Sequence, residues 1–156
     1  MIPHNTDAID TPNRVRQIVG RLRAAGYRVG PSRKAILQAL VDSDSHPAAE
    51  EIFDTASITQ PRISLATVYK TLEVLRDLGE VLELEFRDDL LTSNRYDGKR
   101  AFSHPHLVCQ DCGSIEDLFV EMLNADLRGA AAEFGFDVER YRMDLYGRCV
   151  ACQQLN

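Results

Sequence analysis

The strongest chemical signal is four cysteines in the last third of the chain, Cys109-Gln-Asp-Cys112 and Cys149-Val-Ala-Cys152, two identical spacings with 36 residues between them. A tight turn brings both sulfurs of such a pair to one side, and two pairs supply the four thiolates of tetrahedral structural Zn2+. Gly113, just after the first pair, suits that turn. Disulfides are the competing reading, but a reducing compartment disfavours them, and a thioredoxin-like redox pair needs no second copy. Because all four ligands are thiolates the site is closed, so the metal staples the C-terminal part and performs no chemistry.

Histidines form a second constellation. His104 and His106 alternate on a segment that reads as a strand, which points both imidazoles to one face and suits chelation of a single ion, with Pro105 stiffening the backbone between them. Asp97 lies seven residues upstream of His104 on the preceding strand. Asp117 follows the first cysteine pair on a strand where it shares a face with Ile115 while Glu116 points away. His46 is remote, at a helix-breaking turn before Pro47; by itself it reads as a capping or solvent-exposed residue. His4, in a polar tail, reads as inert. A His, His, Asp set with an open position is also the pattern of a non-haem metal enzyme, but no substrate-binding signature accompanies it here.

The elements that must position these residues follow from periodicity. The 156 residues, 44% hydrophobic and 27% charged, suit one ordinary soluble domain or two small ones. No membrane-length apolar run and no secretion-signal pattern occurs, which points to the cytoplasm. Val15, Ile18, Val19 and Leu22 recur at helical spacing and end near Gly26; Gly30 and Pro31 then open a second helix carrying Ile36, Leu37, Leu40 and Val41. Asp42 to Ser45 break it. Pro47 opens a short third helix through Glu50, Ile52 and Phe53, and Ser64 caps a fourth whose buried stripe is Leu65, Val68, Leu72 and Leu75, closed by Gly79. Glu80 to Phe86 alternate, Asp88 and Asp89 turn the chain, and Ser93 to Asp97 complete a two-stranded wing. The remainder reads as strands, a helix and a final strand.

Helices followed by a hairpin are the pattern of a winged helix, in which one helix enters the major groove. The fourth helix is the candidate reader. Ala66, Thr67 and Lys70 lie opposite its apolar stripe with Tyr69 at the border; small residues allow close approach, Lys70 meets phosphate, and Tyr69 offers a ring and a hydroxyl. Glu73 and Asp77 repel phosphate, so only the N-terminal half enters. An ordinary amphipathic surface helix is the plain alternative. The net charge of −6 conceals a segregation: Pro12 to Val41 carries seven basic residues, Arg28 and Arg33 among them, and no acidic one, whereas Leu84 to Asn156 carries eight basic against thirteen acidic. One end can face phosphate while the other holds cations, although a basic run is also the signature of a merely solvated helix face.

These motifs together resemble the ferric uptake regulator family. The resemblance rests on His46-Pro47 with Glu50-Glu51-Ile52-Phe53, on Ile63 to Leu72 with Ser64 at its cap, on His104-x-His106-Leu107-Val108-Cys109-x-x-Cys112-Gly113, and on Leu145-Tyr146-Gly147-x-Cys149-x-x-Cys152, and it spans about Pro12 to Cys152. It implies an α+β chain: an N-terminal winged helix-turn-helix DNA-binding domain over 1–86, a wing and hinge over 87–96, and a C-terminal α/β dimerisation and metal-binding domain over 97–156. It implies a homodimeric, metal-dependent bacterial repressor of double-stranded operator DNA. The family's structural zinc falls on Cys109, Cys112, Cys149 and Cys152, and its regulatory site on His46, Asp97, His104, His106 and Asp117, which gives His46 a role. Three imidazole nitrogens and two carboxylates suit Fe2+ or Mn2+, although Zn2+ binds such a set too. Coordination then sets the angle between domains and hence the spacing of two reading helices, named here as Ser64, Ala66, Thr67, Tyr69 and Lys70 with Arg28 and Arg33 beside them.

Departures from the family pattern refine this. Ser103, Pro105 and Tyr141 stand where many iron sensors carry ligands of an additional site, so that site is expected to be absent. Both carboxylate positions are aspartate where iron-uptake regulators usually have glutamate, which is similar to the peroxide-sensing repressors, in which oxidation of ligand histidines releases the ion and then the operator. An iron- or zinc-homeostasis regulator without peroxide sensing is the alternative within the family. A zinc-stapled protein-interaction module would leave Lys70, Tyr69 and the basic run idle. No membrane partner is expected, and no small-molecule substrate other than the metal ion and hydrogen peroxide.

Overall fold

The computed structural model describes residues 9–86 and 91–155; His4 and the turn assigned to Asp88 and Asp89 lie outside them. The described residues divide into two compact units, the first ending at Ala101 and the second beginning at Phe102.

In the first unit four helices precede a hairpin, as periodicity and capping predict. Helix α1 (Thr11–Ala24) starts where the Asp10 side chain accepts from the Asn13 N–H and buries Ile18 and Leu22. Helix α2 (Pro31–Asp42) has Pro31 in its first turn, where a missing N–H costs nothing, and buries Ile36, Leu37, Leu40 and Val41. Helix α3 (Ala49–Thr59) is entered through the Glu51 carboxylate, which accepts from the Ala48 N–H at 2.6 Å; it continues past Phe53 because Ala56 also faces the core. Helix α4 (Leu65–Asp77) is capped by Ser64, and Val68, Leu72 and Leu75 are buried, with Thr71 inside as well. Strands β1 (Leu82–Leu84) and β2 (Arg95–Asp97) pair antiparallel with Leu82 opposite Asp97. Ile18, Leu22, Ile36, Leu40, Ile52, Val68, Leu72 and Leu75 lead one continuous apolar core.

Two of the seven basic residues in the Pro12 to Val41 run pair with one buried acid, Arg14 from inside the fold and Arg21 from its surface. Arg14 donates to the Glu80 carboxylate at 2.8 Å, to the Glu80 carbonyl at 2.8 Å and to the Gly98 carbonyl at 3.0 Å, and Arg21 reaches the same carboxylate at 2.9 Å. Glu80 is 2% exposed, so this cluster supplies the partners a buried carboxylate requires. Gly98 itself is needed for space: a Cβ there would lie 2.5 Å from Leu40 Cγ.

The second unit is built on a three-stranded sheet ordered β4-β3-β5. Strand β3 (His106–Cys109) is central, antiparallel to β4 (Ile115–Asp117) and parallel to β5 (Asp144–Gly147), with helix α5 (Glu121–Glu133) between β4 and β5 in the chain. A short helix α6 (Val150–Gln154) follows β5, so the chain does not end on a strand as its periodicity suggested; Cys149 is its N-cap and the Cys149 carbonyl accepts from the Gln153 N–H at 3.0 Å. His104 and His106 do not share a strand either. Proline at 105 has no N–H for the ladder, which begins at His106, whose N–H donates to the Met143 carbonyl at 2.9 Å. Among the described residues no helix is long and apolar enough to cross a membrane.

Candidate metal centre and nucleic-acid face

The four cysteines converge at one end of the β3-β5 sheet. Gly113 adopts φ +72°, its N–H donates to the Cys109 carbonyl at 2.9 Å, and the Cys109–Cys112 turn closes on itself. The Cys149 N–H donates to Cys109 Sγ at 3.3 Å, and Cys112 Sγ lies 3.8 Å from Cys149 Sγ. One sulfur from each cysteine falls within 4.8 Å of the others. A tetrahedron with Zn–S bonds of about 2.3 Å has edges of about 3.8 Å, so the sulfurs fit a single ion. All four are free thiols, not disulfides. Backbone N–H groups of Cys149 and Cys112 pull the Cys109 thiol down to about 6, while side-chain hydrogen bonds with Cys149 and Cys112 push Cys152 up to about 12. An Asp111–Arg148 ion pair clips the two cysteine turns together, a contact with no signature in the spacing.

The five histidine and aspartate donors are split between the units. In the first, the Asp97 Oδ1 accepts from the backbone N–H of Lys99 at 2.9 Å and of Arg100 at 3.0 Å, which fixes the carboxylate, and its Oδ2 stands 3.7 Å from His46 Nε2. Both side chains are buried. In the second, His104 Nε2 lies 3.1 Å and His106 Nε2 3.8 Å from the same Asp117 Oδ1, with imidazole centroids 4.5 Å apart. The expected convergence of the two rings therefore survives although one precedes the strand. The Phe102 carbonyl lies 2.8 Å from His104 Nδ1, and Phe119 stacks on the ring at 5.5 Å, so Nε2 of His104 is the atom presented to an ion. Buried imidazoles with carboxylates at these separations fit a divalent cation of the Fe2+, Mn2+ or Zn2+ type. The backbone N–H of Tyr141 donates to Ser103 Oγ at 3.3 Å, which brings together two of the positions where the additional site was expected to be missing.

On the solvent side of α4, Ala66, Tyr69 and Lys70 are exposed and Thr67 is half-buried. Ser64 Oγ accepts from the Thr67 N–H at 3.2 Å. Tyr69 is engaged: its hydroxyl donates to Glu50 at 2.8 Å, and that hydrogen bond, with burial behind it, raises its pKa. Arg33, in the first turn of α2, donates to the Arg28 carbonyl at 2.6 Å and lies over the Tyr27 ring at 5.8 Å, which orients the Arg33 side chain. Glu80, Asp111 and Asp144 are structural or site-adjacent acids that motif reading passed over.

Residues 24–146 match the sequence model of the ferric uptake regulator family. The peroxide-responsive repressor PerR of Staphylococcus aureus strain USA300 is 40% identical over 139 residues, 89% of this chain and 91% of that protein. The solved PerR of Streptococcus pyogenes, described for peroxide sensing and gene regulation, is 33% identical with a TM-score of 0.51, covering 90% of this chain and 93% of its own. The ferric uptake regulator Fur of Helicobacter pylori superposes at a TM-score of 0.73 over 92% of this chain and 93% of its own, and at 19% identity it is a likeness of fold.

Proposed function

We propose that this chain, which belongs to the ferric uptake regulator family, is a homodimeric, metal-dependent repressor that binds double-stranded operator DNA through its N-terminal unit and releases it on peroxide oxidation or metal loss. The observation that carries the reading is the pair of preorganised donor sets, His46 with Asp97 in one unit and His104 and His106 with Asp117 in the other, in a chain 40% identical to a peroxide-responsive repressor. In this reading one ion takes ligands from both sets, and its binding is what couples the units. Cys109, Cys112, Cys149 and Cys152 hold a second ion, Zn2+, as a closed staple. The protein thus acts by binding, not by turning a substrate over.

Each residue has a task. Asp97, locked by two backbone N–H groups, presents one oxygen beside His46; Asp117 presents one between His104 and His106. With all five engaged the first unit is held at one orientation, and Ser64, Ala66, Thr67, Tyr69 and Lys70 of α4 meet the major groove, with Arg28 and Arg33 on phosphates. Exposed Phe134, Phe136, Val150 and Leu155 support a dimer formed through the second unit. Fe2+ supplies one-electron chemistry toward hydrogen peroxide that Mn2+ lacks. With Fe2+ held there, hydrogen peroxide would oxidise the imidazole of His46 or His104, one peroxide oxygen entering a ring C–H and the other leaving as water, and the oxidised ring would be a poorer ligand.

The test is fluorescence anisotropy on operator DNA with Mn2+ or Fe2+, paired with mass spectrometry of the peptides containing His46 and His104. Mn2+ should support DNA binding in the natural protein and not in His46→Ala, with affinity falling steeply as salt rises. Peroxide should add one oxygen atom to those peptides with Fe2+ and none with Mn2+. Metal-independent DNA binding sinks the repressor mechanism. Metal-dependent binding without histidine oxidation assigns the chain to iron or zinc homeostasis.

A further inference from the structure

We propose that Asp144 is a positioning residue for the regulatory metal: it holds His106 by Nδ1 so that Nε2 is the ligand atom. The inference rests on the reading of His106 as a ligand. Strands β3 and β5 are parallel with His106 directly opposite Asp144, a register that puts both side chains on one face of the sheet. Asp144 Oδ1 stands 3.7 Å from His106 Nδ1, on the side of the ring away from Asp117. Among the described residues that oxygen is buried and accepts no hydrogen bond, whereas its twin Oδ2 accepts from Arg142 Nε at 2.7 Å. A buried carboxylate oxygen without a donor is costly, and the only ring hydrogen that can reach it is the one on Nδ1. A small rotation of the imidazole closes the gap, fixes the tautomer with hydrogen on Nδ1, and aims the Nε2 lone pair at Asp117 and the ion.

His104 uses a different group for the same purpose, the Phe102 carbonyl 2.8 Å from its Nδ1. The two histidines are therefore oriented from separate parts of the second unit. The β3-β5 register that sets Asp144 against His106 runs on to pair Cys109 with Gly147, and the Gln110 N–H donates to the Gly147 carbonyl at 2.8 Å, two residues before Cys149. The cysteine staple and the orientation of His106 thus depend on the same strand pairing.

The experiment measures Mn2+ affinity of the zinc-loaded full chain by calorimetry, and the ring tautomer of His106 by nitrogen-15 NMR with the regulatory site empty. Asp144→Ala should weaken Mn2+ binding by about 10- to 100-fold, as loss of an orienting carboxylate does elsewhere, with zinc content unchanged. Asp144→Asn, which keeps an acceptor oxygen, should restore most of the affinity. In the natural protein the His106 ring should carry hydrogen on Nδ1. Unchanged Mn2+ affinity in Asp144→Ala overturns the proposal, and so does an Nε2–H tautomer in the natural protein, a measurement that needs no variant to fold. His106→Ala separates the two readings. If it binds Mn2+ as tightly as the natural protein, the regulatory site itself is misassigned; if it loses Mn2+ while Asp144→Ala retains it, only the role of Asp144 falls.

Discussion

The two units solve the problem of stability in opposite ways. The first buries a continuous aliphatic core from four helices and a hairpin, and ties α1 to Glu80 and Gly98 through Arg14. In the second, Val108, Cys109, Ile115 and Cys152 are the buried hydrophobic residues among those described, and two of them are cysteines. Phe134, Phe136, Leu145, Tyr146, Val150 and Leu155 are exposed. A unit this small and this thinly packed cannot offset its chain entropy by apolar burial alone. The difference teaches that the first unit encodes its fold in carbon, while the second has too little apolar burial to do so, which is the need that the proposed zinc staple and dimer would meet.

The largest test of that contrast is Cys112→Ser. Removing one thiolate should release zinc and unfold the second unit, because for such sites metal binding and folding share one free energy, of about 10–16 kcal/mol in small zinc peptides. The first unit should keep its helical circular dichroism and its own melting transition. Zinc content and calorimetry check this; a stable zinc-free second unit would break the contrast outright. The reciprocal substitution is Glu80→Ala. It strands Arg14, whose side chain is 13% exposed, against the body of the first unit, while the more exposed Arg21 swings to water. A loss of about 3–5 kcal/mol is expected, read by urea unfolding, with zinc content untouched. Next in size is Phe136→Ala. If the exposed aromatics cover a partner copy, dimer dissociation measured by sedimentation should rise about tenfold, a cost of about 1.4 kcal/mol, without loss of zinc.

The contrast also explains what could be read from the amino-acid order. Helices α1 to α4 were legible because Ile18, Leu22, Ile36, Leu40, Val68 and Leu72 follow a strong period and Gly26, Gly30 and Ser64 punctuate it. The cysteine turns were legible because their spacing is a local geometric requirement. His46 was not, taken alone, since its partner Asp97 lies far along the chain and nothing local marks the pair; the family resemblance supplied it. The strand through His104 was misread because alternation persists across Pro105 while ladder hydrogen bonds do not. Helix α6 is a single short turn with no apolar period to reveal it. Glu80 and Asp144 escaped notice because a lone acid in sequence gives no sign that arginines or a histidine fold over it.

The finest distinction between the units concerns acid. In the first, Glu83 on β1 accepts from Asn94 at 2.8 Å, from Arg76 of α4 at 3.0 Å and from the Tyr96 hydroxyl at 3.2 Å. Burial raises its pKa, but those three donors outweigh it and leave the carboxyl below its ordinary value of 4.5. A lowered folded-state pKa means stability that is fully present above the unfolded value and is lost as pH falls through the folded one. Glu83→Gln should therefore lower the melting temperature of the first unit by only a few degrees at neutral pH, and the deficit should vanish in acid below about pH 4. The second unit should respond to acid by a different route, giving up zinc as protons compete for its thiolates, so its transition should follow zinc release and be indifferent to Glu83. A Glu83→Gln deficit that persists in acid, or one that appears in the zinc-linked transition, would show that the two units do not keep separate accounts of their stability.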